Sequence, residues 1–100
     1  MSGLNPTPAE SLIDSQGRPY FLWDIDMTLD RFRHLVEHGD LEQRCYLIGK
    51  LMRQAKPDDV FTFVTVAEIR KLWTGIEPYL GRTREFWAWL LEQWRAQGVA

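Results

Sequence analysis

From residue 28 onward, apolar side chains recur every three or four positions. Leu29, Phe32, Leu35 and Val36 mark one helix, which Thr28 caps and Gly39 ends. Asp30 falls in its first turn, where negative charge meets the positive end of the helix dipole. Asp40-Leu41-Glu42-Gln43 has the form of a capping box and opens a second helix, to about Ala55. Its stripe is Leu41, Cys45, Ile48 and Met52, widened by Leu51, with Glu42, Lys50 and Arg53 off it. Gly49 inside this helix weakens it by about 1 kcal/mol relative to Ala. It fits either a close helix approach or a tolerated surface position. Val60 to Val66 is rich in β-branched and aromatic residues, as in a strand. Pro57-Asp58-Asp59 nevertheless makes a helix start, and Thr65-Val66-Ala67-Glu68 makes another capping box. Ile69, Leu72, Trp73 and Ile76 follow at helical spacing. The pattern predicts a short helix at 58–63 and a longer one at about 66–76. Pro78 and Gly81 punctuate a loop. The last helix, about 82 to 96, is the most aromatic. Phe86, Leu90 and Trp94 share one face, Trp87 and Leu91 lie beside it, and Trp89 is around the side. One edge is left over for a partner.

The start of the chain reads differently. Residues 1–19 are polar and broken by Pro6, Pro8, Gly17 and Pro19, which predicts a flexible N-terminal arm. A short helix over Pro8–Ile13, capped by Thr7, is compatible with it. Residues 20–27 are aromatic and expected to be extended. Residues 20–100 form a single helical domain. The expected fold is all-α: a small bundle of four or five short antiparallel helices with an extended aromatic N-terminal segment.

One hundred residues fit one domain near the small end of the usual range. The chain is 45% apolar with 13 aromatic residues, five of them Trp, which excludes a disordered chain. The net charge of −2 gives no general reason for nucleic-acid or membrane binding. Cys45 is the only cysteine, so an intrachain disulfide and a thiolate cluster are excluded. Two histidines and one cysteine do not make a standard structural zinc site. No cofactor or metal is predicted. No leader-like segment or membrane span is visible, and the cytoplasm is the expected location.

Three motifs invite chemistry. "FLWDIDMTLD", residues 21–30, has the outline of the haloacid dehalogenase opening: a hydrophobic strand, then Asp-x-Asp-x-Thr-Leu with Asp24 and Asp26. That fold needs several crossover-linked parallel strands, and the chain has room for few. Met27 stands where that family usually has Gly, and Lys56 precedes Thr62 and Thr65 where the family order is the reverse. His34-Leu35-Val36-Glu37-His38 matches the inverted zinc-protease motif but lacks a further acidic ligand. Cys45 sits on an apolar stripe, as a buried and inert thiol does. The sequence therefore reads as non-enzymatic, with a magnesium-dependent phosphatase of the haloacid dehalogenase type using Asp24 and Asp26 as the remote alternative.

An aromatic block ending in Trp-Asp-x-Asp leads into a Thr-capped helix, a Gly-Asp break, a second helix and an Asp-Val-aromatic turn. The residues are Phe21, Trp23, Asp24, Asp26, Thr28, Gly39, Asp40, Asp59, Val60, Phe61, Thr65, Glu68 and Ile69. Over about residues 18 to 94 this pattern resembles a family of small bacterial proteins of poorly defined function. Asp59-Val60-Phe61 replaces that family's usual Asp-Val-Trp. A neighbouring gene in that family often encodes a nucleotidyltransferase-like toxin of the abortive-infection type. The resemblance implies an antitoxin or accessory protein partner of such an enzyme. The expected mechanism is stoichiometric: the domain docks on the toxin and blocks or reshapes its nucleotide site. Trp and Arg dominate interface hot spots. On that ground Tyr20, Phe21, Trp23, Arg82, Arg84 and Trp89 are the expected partner-binding residues. A second reading is a DNA-binding regulator, with the helices at 58–63 and 66–76 as a helix-turn-helix carrying Arg70 and Lys71. The acidic net charge and the short first helix argue against it.

Overall fold

A helix surrounded on every side organises this fold. The computed structural model describes residues 5–98. Among them are seven α-helices and no strand. They are α1 (Ala9–Leu12), α2 (Leu29–His38), α3 (Leu41–Gln54), α4 (Pro57–Phe63), α5 (Val66–Lys71), α6 (Trp73–Ile76) and α7 (Arg84–Ala96). Short 3-10 turns stand at Tyr20–Leu22, Glu77–Tyr79 and Gly81–Thr83. The radius of gyration, 13.4 Å, is that of a compact chain of this length.

Helix starts lie where local chemistry puts them. Thr28, Asp40 and Thr65 each accept a hydrogen bond from the backbone N–H three residues on. At Thr65 the box closes, because Glu68 returns the bond to the Thr65 N–H. Helix ends are satisfied at longer range. Val36, in the last turn of α2, lacks an intrahelical partner for its carbonyl, and Arg44 Nε donates to it at 2.9 Å. Met52 plays the same part in α3, where the Trp87 indole N–H donates at 2.9 Å. That bond lets a tryptophan be fully buried without an orphaned donor.

Leu47 to Met52 are all buried, so α3 has no solvent face over this stretch. The aromatic turn, α2, α4, α6 and the turn at Glu77–Tyr79 all pack on it. Phe21, Phe32 and Phe63 meet edge to face at 5.3–5.6 Å on one side. On the other, Trp87 and Leu91 of α7 are buried, and Phe61 meets Trp87 and Trp94 at 5.9 and 5.1 Å.

Several boundaries differ from the sequence reading. The aromatic block is not extended at Tyr20–Leu22 but turns once as 3-10 helix, with Leu22 N donating to Pro19 O at 3.1 Å. The helix expected over 66–76 breaks at Leu72, whose φ of −101° and ψ of 9° leave the helical region. On α7 the buried face is Trp87 and Leu91, while Phe86 is exposed. The N-terminal arm is not separate from the body: Leu12 joins the core, and Thr7 bonds to Asp59. Its residues 1–4 lie outside the described residues, as do 99 and 100 of the expected helical domain.

Gly49 is a close-approach position. A Cβ there would sit 2.7 Å from Tyr79 Cβ and 3.4 Å from the Ile76 carbonyl oxygen. Gly49→Ala gains helix propensity of about 1 kcal/mol. The clash involves a Cβ that cannot swing away, and such overpacking costs about 1–3 kcal/mol. The substitution is expected to lower the urea midpoint, whereas propensity alone would raise it.

Candidate functional site

The stretch with the Asp-x-Asp outline is bonded to α3 through Asp24 and the Phe21 carbonyl. Asp24 follows the 3-10 turn and points at α3, where Lys50 and Gln54 lie one helical turn apart. Lys50 Nζ donates to Asp24 Oδ2 at 2.6 Å, and Gln54 Nε2 to Asp24 Oδ1 at 3.3 Å. Gln54 also donates to the Phe21 carbonyl at 3.1 Å, so one side chain holds both the turn and its carboxylate. Lys50 is only 3% exposed, whereas 33% of the Asp24 side chain is open to solvent. The Tyr46 ring lies 5.7 Å from the ammonium, within cation–π range. The hydrogen bond from Lys50 holds the Asp24 carboxyl below the usual aspartate value. Asp26 instead points outward, 95% exposed, 3.8 Å from Arg18. The two aspartates are not presented together, and no strand among the described residues carries them.

A second carboxylate works on the opposite flank. Asp59, in the first turn of α4, is 1% exposed. It accepts from Thr7 N at 2.6 Å, Thr7 Oγ1 at 2.6 Å and the Tyr20 hydroxyl at 2.5 Å. The Tyr20 oxygen accepts in turn from Lys56 N at 2.8 Å. Burial pushes the Asp59 carboxyl up; the hydrogen bonds from Thr7 and Tyr20 more than reverse this, leaving it below the usual value. Burial also pushes the Tyr20 hydroxyl up, and with Asp59 beside it the value reaches about 12.

The expected partner-binding residues separate in space. Phe21 is 0% exposed and belongs to the core, so it offers no contact surface. Tyr20 is half-buried with its hydroxyl committed to Asp59 and Lys56. Trp23 is 75% exposed and Trp89 57% exposed. Phe86, also exposed, lies 6.5 Å from Trp89 ring to ring and extends that patch. Arg82 is exposed, and Arg84 pairs with Glu77. Sequence reasoning overlooked Phe86 because its spacing put it on the same face as Leu90 and Trp94.

Trp23 borders a cleft of about 420 Å³, walled by Ser11, Leu12 and Ile13 opposite Tyr20, Leu22 and Ile25. A second, more apolar cleft of about 480 Å³ lies among Leu41, Cys45, Leu72, Gly75 and Tyr79. Cys45 is buried at its base, and burial pushes its thiol up, away from thiolate chemistry. His34 and His38 are exposed, with ring centroids 5.0 Å apart and the rings tilted by 47°. Among the described residues no three His, Cys, Asp or Glu converge to hold a metal ion. Arg70, which the helix-turn-helix alternative assigns to DNA contact, donates to the Leu91 carbonyl at 2.8 Å within the fold. Lys71 is exposed. No helix among the described residues is long and apolar enough to cross a membrane.

Two outcomes test this electrostatic description. In ultraviolet titration of the folded protein, one of the three tyrosines should ionise near pH 12, and Tyr20→Phe should remove that step. Because folding favours the neutral phenol, Tyr20 stabilises the fold below about pH 10 and loses that contribution as pH rises through about 12. At pH 7, Asp24→Asn should lower the urea midpoint more than Lys50→Met. The first strands a buried ammonium, while the second leaves a carboxylate that water already reaches. Asp24 has a lowered folded-state value, so its contribution is present above the usual aspartate value and lost as pH falls. The effect of Asp24→Asn should therefore shrink as pH drops below about 3.9.

Comparison with known proteins finds no matching family model, no similar curated protein and no similar solved structure.

Proposed function

We propose that this chain is a non-catalytic protein-binding module of the cytoplasm, an antitoxin or accessory partner of a nucleotidyltransferase-like toxin. The observation that supports this best is the exposure of Trp23 and Trp89, at 75% and 57%, on a body that buries Trp87 almost completely. Tryptophan supplies large rigid contact area at low entropic cost, which is why it anchors interfaces. The choice of partner comes from the resemblance in the aromatic-Trp-Asp-x-Asp segment and the capped helices beyond it. In this reading Trp89 and Phe86 of α7, with Arg82 in the turn before it and Arg84 as its first residue, form one contact patch, and Trp23 forms another. Taking α5 and α6 as one bent helix, α2, α3, α4, α5–α6 and α7 act as five antiparallel neighbours that hold the patches rigid.

The mechanism is stoichiometric. The module covers or reshapes the toxin's nucleotide site and contributes no reacting group of its own. Arg70 is bonded to the Leu91 carbonyl, and no observation favours the DNA-binding alternative.

The test is to mix the chain with a nucleotidyltransferase-like toxin encoded beside it. A stable complex with suppressed nucleotidyl transfer is expected. Trp89→Ala or Trp23→Ala should weaken it by about 2 kcal/mol, roughly thirtyfold in Kd, with the melting temperature unchanged. A complex whose transferase activity is undiminished, or affinity indifferent to both substitutions, would defeat the proposal.

A further inference from the structure

Residues 5–13 are fastened to the body at few points. Among them Leu12 is buried, Thr7 is half-buried and the rest are exposed. Leu12 is the apolar anchor, seated in the core. The polar anchor is Asp59, which takes both the Thr7 N–H and the Thr7 hydroxyl at 2.6 Å. Asn5 N adds a bond to Asp58 Oδ2 at 3.0 Å.

Beyond this stretch the chain is pinned again. Asp14 and Arg18 close a tight turn, with Asp14 N donating to Arg18 O at 2.9 Å. Gly17 sits at φ +79°, a conformation that favours glycine, and its carbonyl accepts from Leu29 N at 2.8 Å. The turn is thus tied to the start of α2, independently of the residues before it. An ordered stretch of this kind loses backbone entropy at every residue, and the Leu12 seat, the Thr7 and Asn5 bonds and the Ile13–Pro19 bridge offset that cost. Such segments open at the low end of a protein's range of local stabilities.

We propose that residues 5–13 are a strap that detaches from the body as a unit, hinged at the Asp14–Arg18 turn and latched by Asp59. Opening hydrates the Asp59 carboxylate and empties the Leu12 seat. It also changes the surface beside Trp23. Ser11, Leu12 and Ile13 form one wall of the cleft that Trp23 borders, so the docked strap builds the cleft and the open strap removes it. Asp59, which also accepts from the hydroxyl of Tyr20 in the opposite wall, therefore sets whether this cleft exists. The device does not depend on which partner the protein has.

Hydrogen exchange of the full-length chain, read by NMR, tests it. In the wild type, the amides of Thr7 and Ser11 are expected to exchange by a local opening, faster than those of Leu47 to Met52 and insensitive to low urea. Thr7→Val, which removes one latch bond and leaves Asp59 in place, should speed exchange over residues 7–13 at least tenfold while α3 is unchanged. Asp59→Asn should do the same where it folds, and Thr7→Val decides alone where it does not. The Trp23 indole resonance should move in the same variant, and that of Trp89 should not. If strap and α3 exchange together in the wild type, or strap rates stay put in Thr7→Val, no latch exists. An unmoved Trp23 indole would separate the cleft from the strap.

Discussion

A helix with neighbours on every side has no face for polar residues, and α3 is such a helix from Leu47 to Met52. The surrounding structure answers the requirements this creates. Gly49 admits the Tyr79 side chain where any Cβ would collide with its Cβ. The Met52 carbonyl, orphaned in the last turn, needs a donor that reaches the interior, and Trp87 provides it. Lys50 has no route to water and must be met by a charge brought to it. Asp24 is that charge, delivered by the aromatic turn. A buried pair of this kind adds little net stability compared with an apolar pair of the same shape. Its effect here is on geometry: the turn docks in the one register that puts Asp24 over Lys50 and Gln54.

Asp24 and Asp59 both close the chain over long range, under different conditions. Asp24 spans 26 residues to Lys50 and keeps part of its surface wet. Asp59 spans 52 residues to Thr7 and 39 to Tyr20, and is sealed. A sealed carboxylate depends entirely on its donors, because removing one leaves lone pairs that water cannot fill. Tyr20 satisfies Asp59 and Lys56 N through a single oxygen, so the aromatic turn is fixed at both ends: by Tyr20 to α4 and by Asp24 to α3.

What could be read from the sequence was what local chemistry decides. The caps at Thr28, Asp40 and Thr65, and the helices they start, depend on neighbours three residues away. The all-helical class came from that periodicity. The break at Leu72 was invisible, since Ile69, Leu72, Trp73 and Ile76 keep helical spacing across it. Lys50 was assigned off the stripe because a single stripe was assumed; the run Leu47-Ile48-Gly49-Lys50-Leu51-Met52 was the available sign of burial all round. Asp59 looked like an ordinary first-turn acid beside Asp58, and nothing local distinguishes the buried one. Tyr20, Phe21 and Trp23 were grouped as one surface because they are adjacent. In a 3-10 turn successive side chains splay about 120° apart, so the same block supplies a core ring and an exposed one.

On α7 the geometry of a helix separates structure from surface. Trp87 and Leu91 are four residues apart, share a face and are buried. Phe86 and Trp89 are three apart, share another face and are exposed. Trp87 and Trp89 lie about 200° apart around the axis, so no rotation of α7 buries both against α3. The core therefore accounts for one tryptophan and gives no account of the other. An exposed pair of large rings also carries an aggregation liability, which a lone apolar side chain does not. Its presence on a helix whose inner face already completes the core is the feature on which the proposed binding role rests.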